Sequence, residues 1–433
     1  MAKHFSAPKG TRDLLPPETA VWARVEATAR RIFGRYGFHE IRTPILEETE
    51  LFLRGVGEAT DIVGKEMYSF TDKGGRSVTL RPESTAAVCR AYVEHGMQQL
   101  PQPQRLFYIG PQFRYERPQR GRYRQFHQIG AELLGGKGAE SDVEILLMLV
   151  AFLRELGFGD LKVLVNTVGD AESRAAYRAA LVDYLTPQKA HLSEESARRL
   201  VTNPLRILDT KSPEEQALLV QAPTLEAHLT PRSRDHFGRV LSSMEAFSVP
   251  FRIEPKLVRG LDYYTNTVFE IVSEALGSQN AICGGGAYEG LVEELGGPPT
   301  YGVGFAIGED RLIDVLPEDS PARRREPGPV VVIRIGKASI EGGGERGALG
   351  LAERLRGAGV PAVEGSGGKA AKAFDLAEKL GSPAVAFLGD DEIAAGTVTV
   401  KLLATREQVT VSPDEAVARL RPLFAGPGDR DRS

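Results

Sequence analysis

Residues 105–134 read RLFYIGPQFRYERPQRGRYRQFHQIGAELL. Two runs, Arg105–Glu116 and Arg122–Leu134, flank a short Pro/Gly segment, which is the pattern of a hairpin. Arg105–Arg124 holds six arginines, at 105, 114, 117, 120, 122 and 124, against one acid, Glu116. In a chain of net charge −4 such a cluster asks for an anionic partner. Side chains alternate along a strand, so Gln112, Arg114 and Glu116 share one face of the first run. Arg124, Phe126, Gln128, Gly130 and Glu132 share one face of the second. If the two faces coincide, the hairpin presents Arg114, Gln128 and Glu132 together: a phosphate-binding cation, an amide and a carboxylate. The tip, Arg117–Arg122, carries the remaining positive charge within reach of a large anion. A solvated surface hairpin whose arginines serve solubility is the competing reading.

Around this hairpin the sequence divides into segments. Thr19–Tyr36 has apolar residues at Val21, Val25, Ile32, Phe33 and Tyr36, which is helical spacing stopped by Gly37. Phe38–Leu46 reads as a strand, with Pro44 near its end. Ser77–Leu80 is a short strand, and Pro82 opens a helix running through Val88 to Val93. From Gly169 to about Ser248 the chain is charged and helical, which suggests an insertion at about 170–248. Phe251–Val272 and Ala281–Ile307 return to strand chemistry with many glycines. Leu316–Gly328 (LPEDSPARRREPG) is a polar, Pro-rich linker. Beyond it, strands at Val330–Ile335, Ala384–Leu388 and Thr397–Leu403 alternate with helices at Gly347–Gly357 and Lys369–Leu380, as in a small α/β domain. The expected division is a large N-terminal core over 1–320, a C-terminal domain over 329–424 and a disordered tail over 425–433.

The composition bounds the function. The chain has 433 residues, a length that suggests about three domains. Apolar residues make up 42% and charged residues 26%, which excludes a largely disordered chain. The net charge excludes a globally basic nucleic-acid binder and leaves room for a local basic patch. The two cysteines, Cys89 and Cys283, offer no disulfide framework and no zinc-ligand spacing. Met1–Leu15 lacks the apolar core of a secretory signal, and the longest apolar run, Ile145–Leu153, is too short to span a membrane. A cytoplasmic protein without a membrane partner is expected.

Three other stretches carry chemistry. Arg81-Pro82-Glu83-Ser84-Thr85 sets a carboxylate and a hydroxyl at a helix N-terminus, where the simplest role for Glu83 is to complement the helix dipole. Leu257–Glu270 (LVRGLDYYTNTVFE) places Arg259-Gly260 before Asp262 and two adjacent tyrosines; a structural Arg–Asp pair with core tyrosines is an equal alternative. Gly284-Gly285-Gly286 is followed by Thr300–Arg311 (TYGVGFAIGEDR), whose glycines allow close backbone approach. The spacing GxGxxxG is not the dinucleotide fingerprint, and no GxxxxGK[ST] occurs, so Rossmann and P-loop nucleotide sites are excluded.

Taken in order, these stretches resemble the three motifs of class II aminoacyl-tRNA synthetases. Gly37–Leu46 (GFHEIRTPIL) is similar to motif 1, Phe113–Glu132 to motif 2 and Gly302–Leu312 to motif 3. Within that class the resemblance is to the histidyl-tRNA synthetases, through Lys9-Gly10-Thr11-Arg12-Asp13, Arg81-Pro82-Glu83, RYRQFHQIG at 122–130 and LVRGLDYYTNTVFE at 257–270. Asn203–Lys211 (NPLRILDTK) resembles that family's insertion, and Lys369–Lys401 its anticodon-binding domain. The resemblance runs from about Pro8 to Val411.

It implies an α/β (α+β) fold: an antiparallel-sheet catalytic domain with a helical insertion, plus a C-terminal α/β anticodon-binding domain. It also implies a histidine–tRNA ligase, a homodimer through motif 1, that uses ATP with Mg2+ to form histidyl-adenylate and then charges tRNA-His. By the same resemblance Arg114 and Arg259 are catalytic, and Arg114, Glu116, Arg259 and Arg311 bind ATP. Glu83, Ser84, Thr85, Gln128, Glu132, Tyr263 and Tyr264 form the histidine pocket, and Gln119 and Arg120 meet the tRNA acceptor end. No metal ligands are expected among the site residues. Selecting an imidazole, with one donor and one acceptor, suits such a polar pocket.

Some positions depart from the family pattern. Ser84 stands for Gly, Ala287-Tyr288-Glu289 for Arg-Tyr-Asp, and Glu309-Asp310 for an apolar-Glu pair. Of these Ala287 is expected to matter most, by removing a cation near the adenylate site. The competing class is the synthetase-like regulatory subunit of ATP phosphoribosyltransferase, a binding protein that typically lacks the C-terminal domain and several catalytic residues.

Overall fold

The structure is a computed structural model that describes residues 5–424 except 58–59, 61, 119–120, 211, 258–260, 262, 274–280, 336–346 and 366–369. The chain forms two compact units, Met1–Arg323 and Arg324–Ser433.

The first unit opens with α1 (Glu18–Arg35), whose buried residues Trp22, Val25, Ala29, Ile32 and Phe33 follow helical periodicity. The segment expected as one strand over 38–46 is two short ones, β1 (His39–Glu40) and β2 (Leu46–Glu48). Between them Thr43 is taken up by the Arg81 guanidinium, which donates to its carbonyl at 3.0 Å and its hydroxyl at 3.1 Å. Next come α2 (Thr49–Val56), β3 (Tyr68–Thr71) and β4 (Ser77–Leu80). The following helix, α3 (Thr85–Glu94), begins three residues later than Pro82 suggested, with Ser84 at its N-cap position. The hairpin is β5 (Gln104–Phe113) and β6 (Gln125–Leu134).

α4 (Ala139–Glu155) contains the most apolar run of the sequence and buries it in the protein core. The sequence reading had passed over β7 (Leu161–Thr167), which leads into the helical region of α5 (Ala171–Leu185), α6 (Glu194–Thr202), α7 (Pro213–Leu218) and α8 (Pro231–Ala246). The N-termini of α5 and α8 cap one another. Asp170 accepts from the Ser173 amide at 2.8 Å and the Thr230 hydroxyl at 2.6 Å, while the Ser173 hydroxyl accepts from the Thr230 amide at 2.9 Å. Although partial burial works the other way, these hydrogen bonds hold the Asp170 carboxyl at about 2. The unit closes with β8 (Phe251–Ile253), β9 (Thr265–Ser273), β10 (Ala281–Tyr288), α9 (Leu291–Glu294), β11 (Gly302–Gly308) and α10 (Glu309–Asp314).

Eight strands make one sheet in the order β1-β5-β6-β11-β10-β9-β7-β8, antiparallel except at its two edges. β2, β4 and β3 form a separate three-stranded sheet. One face of the large sheet is apolar: Phe107, Ile129, Ala131, Leu133, Phe269, Val303, Phe305 and Ile307 pack under α1 and α4. Phe33 ties these layers together through edge contacts to Phe107, Phe152 and Phe305, with ring centroids 5.4–5.8 Å apart. The opposite face holds the site.

The second unit is a five-stranded sheet in the order β13-β12-β14-β15-β16, built from β12 (Val330–Arg334), β13 (Ala362–Glu364), β14 (Ala384–Leu388), β15 (Val398–Leu402) and β16 (Gln408–Val411). Alternation sends Val330 and Val332 to a core with α11 (Ala348–Gly357) and α14 (Pro413–Leu420), and Val331 and Ile333 to a core with α12 (Ala370–Leu380). Helices therefore cover both faces. α13 (Asp390–Ala395) links β14 to β15. Among the described residues no helix of either unit is long and apolar enough to cross a membrane.

Candidate active site

The hairpin register settles which faces coincide. Gln112 lies opposite Phe126, Gly110 opposite Gln128, Tyr108 opposite Gly130 and Leu106 opposite Glu132. The same face continues from Glu132 to Gly304 and on to Gly286, and from Gly130 through Ala306 and Gly284 to Glu270. Its middle is thus paved with glycine, and the space is taken by side chains lying flat. A methyl on Gly304 would sit 1.9 Å from Glu132 Oε2, and one on Gly130 2.3 Å from the Tyr108 ring. At Gly286 it would sit 2.8 Å from the Tyr264 ring.

Above this platform lies the 82–85 turn. Glu83 is buried, and its carboxylate accepts from the amides of Thr85 at 2.7 Å and Ala86 at 2.9 Å. It therefore does cap α3, while also facing Glu132. The Thr85 hydroxyl donates to Glu132 Oε1 at 2.7 Å, and the Tyr288 hydroxyl donates to Oε2 at 2.7 Å. Burial, with the charge of Glu83 adding to it, pushes the Glu132 carboxyl up to about 8. Burial raises Glu83 as well. Tyr263 stacks between Tyr264 and Tyr288, with centroids 4.7 and 5.6 Å away, and burial beside Tyr264, Glu83 and Glu132 lifts its hydroxyl well above the usual range. Gln128 is buried on the same face, and its Oε1 has no partner among the described residues. The result is a buried polar cluster rich in hydrogen-bond acceptors, the chemistry that suits a small solute rich in N–H groups.

Cations border it. Arg114 donates through Nε to the Pro82 carbonyl at 2.9 Å, and its guanidinium lies 5.3 Å from the Phe126 ring centroid. Arg311, on α10, lies by the hairpin turn, where a methyl on Gly121 would come 3.9 Å from its Cβ. Burial and nearby Arg122 lower its pKa, whereas Glu270 on the platform face opposes this. Two cations held together in this way favour an anion between or beside them. Glu116 lies on the outgoing limb of the hairpin beyond β5, 3.7 Å from Arg122 across the turn. Among the described residues no group of three or more His, Cys, Asp and Glu side chains is placed to hold a metal ion by itself.

The structure thus brings together Glu83, Thr85, Glu132, Tyr263 and Tyr264, with Ser84, Gln128 and Arg114 adjoining. Arg259, Gln119, Arg120 and the 425–433 tail lie outside the described residues. Sequence reasoning missed Tyr288, Gln112 and Tyr108, and it left Glu270 without a role. Period-2 alternation puts Gln112 and Tyr108 on the strand face of Arg114, but it shows neither the Ser84 partner of Gln112 nor the place of Tyr108 over Gly130.

The departures from the family pattern also find their places. Ala287 pairs with Val303 and is buried on the apolar face of the sheet, so its side chain points away from the platform. The expectation of a cation lost beside the adenylate is corrected on that ground. Asp310 accepts from the His127 amide at 2.9 Å and pairs with Arg12 at 3.1 Å. Arg12 also lies over the Tyr123 ring at 4.7 Å, so the Lys9–Asp13 stretch fastens the turn end of the hairpin to α10. Glu309 beside it is wholly buried, and neither carboxyl oxygen has a partner among the described residues. Burial, with Glu26 and Asp310 nearby, pushes it up to about 9.

Comparison with known proteins bears on the whole chain. Residues 10–312 match the family model of histidyl-tRNA synthetase, and residues 329–423 that of an anticodon binding domain. A histidine--tRNA ligase of Thermosynechococcus vestitus is 49% identical over 427 residues, 98% of each chain. One of Synechococcus elongatus is 50% identical over 412 residues, 95% of this chain and 93% of that one. The crystal structure of apo S. aureus histidyl-tRNA synthetase superposes with a TM-score of 0.79 at 34% identity, covering 96% of this chain and 100% of that one. A Bacillus halodurans chain described as an ATP phosphoribosyltransferase regulatory subunit/histidyl-tRNA synthetase has a TM-score of 0.63 at 21% identity, over 90% of this chain and 98% of that one. That is a likeness of fold alone. With a matching family model over most of its length and relatives of about half-identical sequence end to end, the chain belongs to the histidyl-tRNA synthetase family.

Proposed function

We propose that the pocket between the 82–85 turn and Glu132 takes histidine, and that Arg114 and Arg311 hold ATP beside it. One observation carries this reading: a buried carboxyl, Glu132, held between the Thr85 and Tyr288 hydroxyls, lies on the same sheet face as Arg114. The imidazole would donate an N–H to Glu132, whose acidity rises again once a donor replaces lost water. Glu83, with Ser84 and Thr85 in its turn, and Gln128 receive the ammonium group. Tyr263 and Tyr264 wall the ring.

Histidine's carboxylate attacks the α-phosphorus of ATP, the bond to the bridging oxygen of pyrophosphate breaks, and histidyl-adenylate forms. Arg114 and Arg259 steady the charge that gathers on the α-phosphate. Fixed cations do so without reorganising, and removing one such group commonly costs about 10²–10³ in rate. Arg311 holds the γ-phosphate. Phe126 presents a ring face on the platform, and Glu116, beyond β5, acts on ATP through the hairpin that carries Arg122. Mg2+ arrives on the phosphates as their counter-ion. The ribose of the tRNA-His 3′ end then attacks the activated carbonyl and expels AMP, both reactants being held together. Gln119 and Arg120 at the hairpin tip meet the acceptor end, and the 329–424 unit reads the anticodon, where unstacked bases expose their edges. Motif 1 mediates a homodimer, and the protein acts in the cytoplasm. The regulatory-subunit reading is not favoured, since Glu83, Arg114, Gln128, Arg259 and the C-terminal unit are all present.

The test is ATP–pyrophosphate exchange with each of the twenty amino acids in turn. Exchange with histidine alone is expected. No exchange with histidine in folded protein, or exchange with another amino acid instead, overturns the proposal.

A further inference from the structure

Three side chains of the hairpin grip one turn. Arg114 donates to the Pro82 carbonyl at 2.9 Å, and Glu132 accepts from the Thr85 hydroxyl at 2.7 Å. Between them Gln112 donates through Nε2 to the Ser84 hydroxyl at 2.7 Å. Arg114 and Glu132 touch substrate in the reading above, whereas Gln112 has had no task.

Packing does not account for it. Gln112 is wholly buried, and its Oε1 has no partner among the described residues. An orphaned polar atom in such a place is destabilising, because it has given up water for nothing. Methionine, of similar length and without polar hydrogen-bonding groups, would fill the space without that cost. What methionine would lose is the bond to Ser84. Ser84 lies between Glu83 and Thr85, and the Glu83 carboxylate is oriented by the Thr85 and Ala86 amides at the end of the same turn. Where the turn goes, the carboxylate goes.

We propose that Gln112 is a positioning residue that, through Ser84, holds the 82–85 turn and so sets the affinity of the Glu83 end of the pocket for the amino-acid ammonium group. The proposal rests on the reading of the pocket as the histidine site. Ser84 and Gln112 act as one unit. Arg114 and Glu132 hold the turn independently, so the fold tolerates loss of the middle grip while the carboxylate drifts.

The test is histidine-dependent pyrophosphate exchange with saturating ATP, and then ATP dependence with saturating histidine. Gln112→Met is expected to raise the KM for histidine about tenfold, or ~1.4 kcal/mol, and to leave the KM for ATP within about twofold. Ser84→Gly, a smaller change that keeps the turn, is expected to give the same split. The double variant is expected to rise about tenfold, not about a hundredfold, because both changes remove one bond. Parallel rises in both KM values, a double variant equal to the product of the singles, or an unmoved histidine KM in either single variant overturns the proposal. Absence of histidine-dependent exchange in the unmodified chain is the separate result that removes the histidine reading itself.

Discussion

Glu309→Leu isolates the energetic consequence of a buried carboxyl without a hydrogen-bond partner among the described residues. Glu309 opens α10, two residues before Arg311, and faces Glu26, Asp310 and, with opposite effect, Arg30. Its carboxyl is pushed up to about 9 by burial from an ordinary value of 4.5. A carboxyl raised on folding helps the native state least where the unfolded chain is ionised. Its contribution is therefore fully present below about pH 4.5 and is lost as pH climbs towards about 9. At about pH 7.5, three units above the unfolded value, the accumulated loss is about 4 kcal/mol; at about pH 5 it is under ~1 kcal/mol. Leucine has neither the proton linkage nor the unpaired oxygens. The melting temperature of the variant is expected to exceed that of the unmodified chain, by a margin that grows by about 3 kcal/mol between those two pH values. In a unit of this size that is roughly 6 °C, read by scanning calorimetry on the first transition. A margin that stays constant with pH, or a variant that melts lower at both, would refute the reasoning.

Two further outcomes follow from the site. Gly304→Ala should drive its methyl into Glu132 Oε2 and the Ala131 carbonyl, breaking the bonds to Thr85 or Tyr288. Overpacking of about 1–3 kcal/mol predicts a rise of about 5- to 150-fold in the KM for histidine, and an unaltered KM in exchange kinetics would show that Glu132 is not held there. Arg114→Ala should cut the rate of pyrophosphate exchange by about 10²–10³ while amino-acid binding, measured by calorimetric titration, changes far less. Equal losses in both would place Arg114 with histidine rather than with the phosphates.

Much of the fold was legible where one periodicity ruled. α1, β4, β12, β14 and the hairpin follow apolar spacing closely, and their observed limits fall within a few residues of the expected ones. β7 is the exception: Gly157, Gly159 and Asp160 mark the turn before it, but the short apolar run LKVLVNT fits neither strict alternation nor helical spacing, so periodicity does not assign it. Pro82 misled because its helix starts only after Pro82 and Ser84 have been drawn into hydrogen bonds with the hairpin. Within the site, Arg114, Gln128 and Glu132 were legible from alternation alone. Tyr288 and Gln112 were not, because their partners, Glu132 and Ser84, are 156 and 28 residues away in sequence. Ala287 was misjudged for a related reason: a residue next to a glycine triplet reads as part of the site until the register assigns it to the other face.

The paving of glycine has a consequence for how such a pocket can change over generations. At Gly286 on β10 and at Gly302 and Gly304 on β11 the platform leaves no room for even a methyl, and the reverse positions fill a packed interior. Neither set can drift without harm. Variation in what the pocket accepts is therefore confined to its movable rim: the 82–85 turn, the paired tyrosines and the hairpin side chains that hold them. A lineage that altered its preferred amino acid would have to record that history in a handful of peripheral positions, over a floor left unchanged.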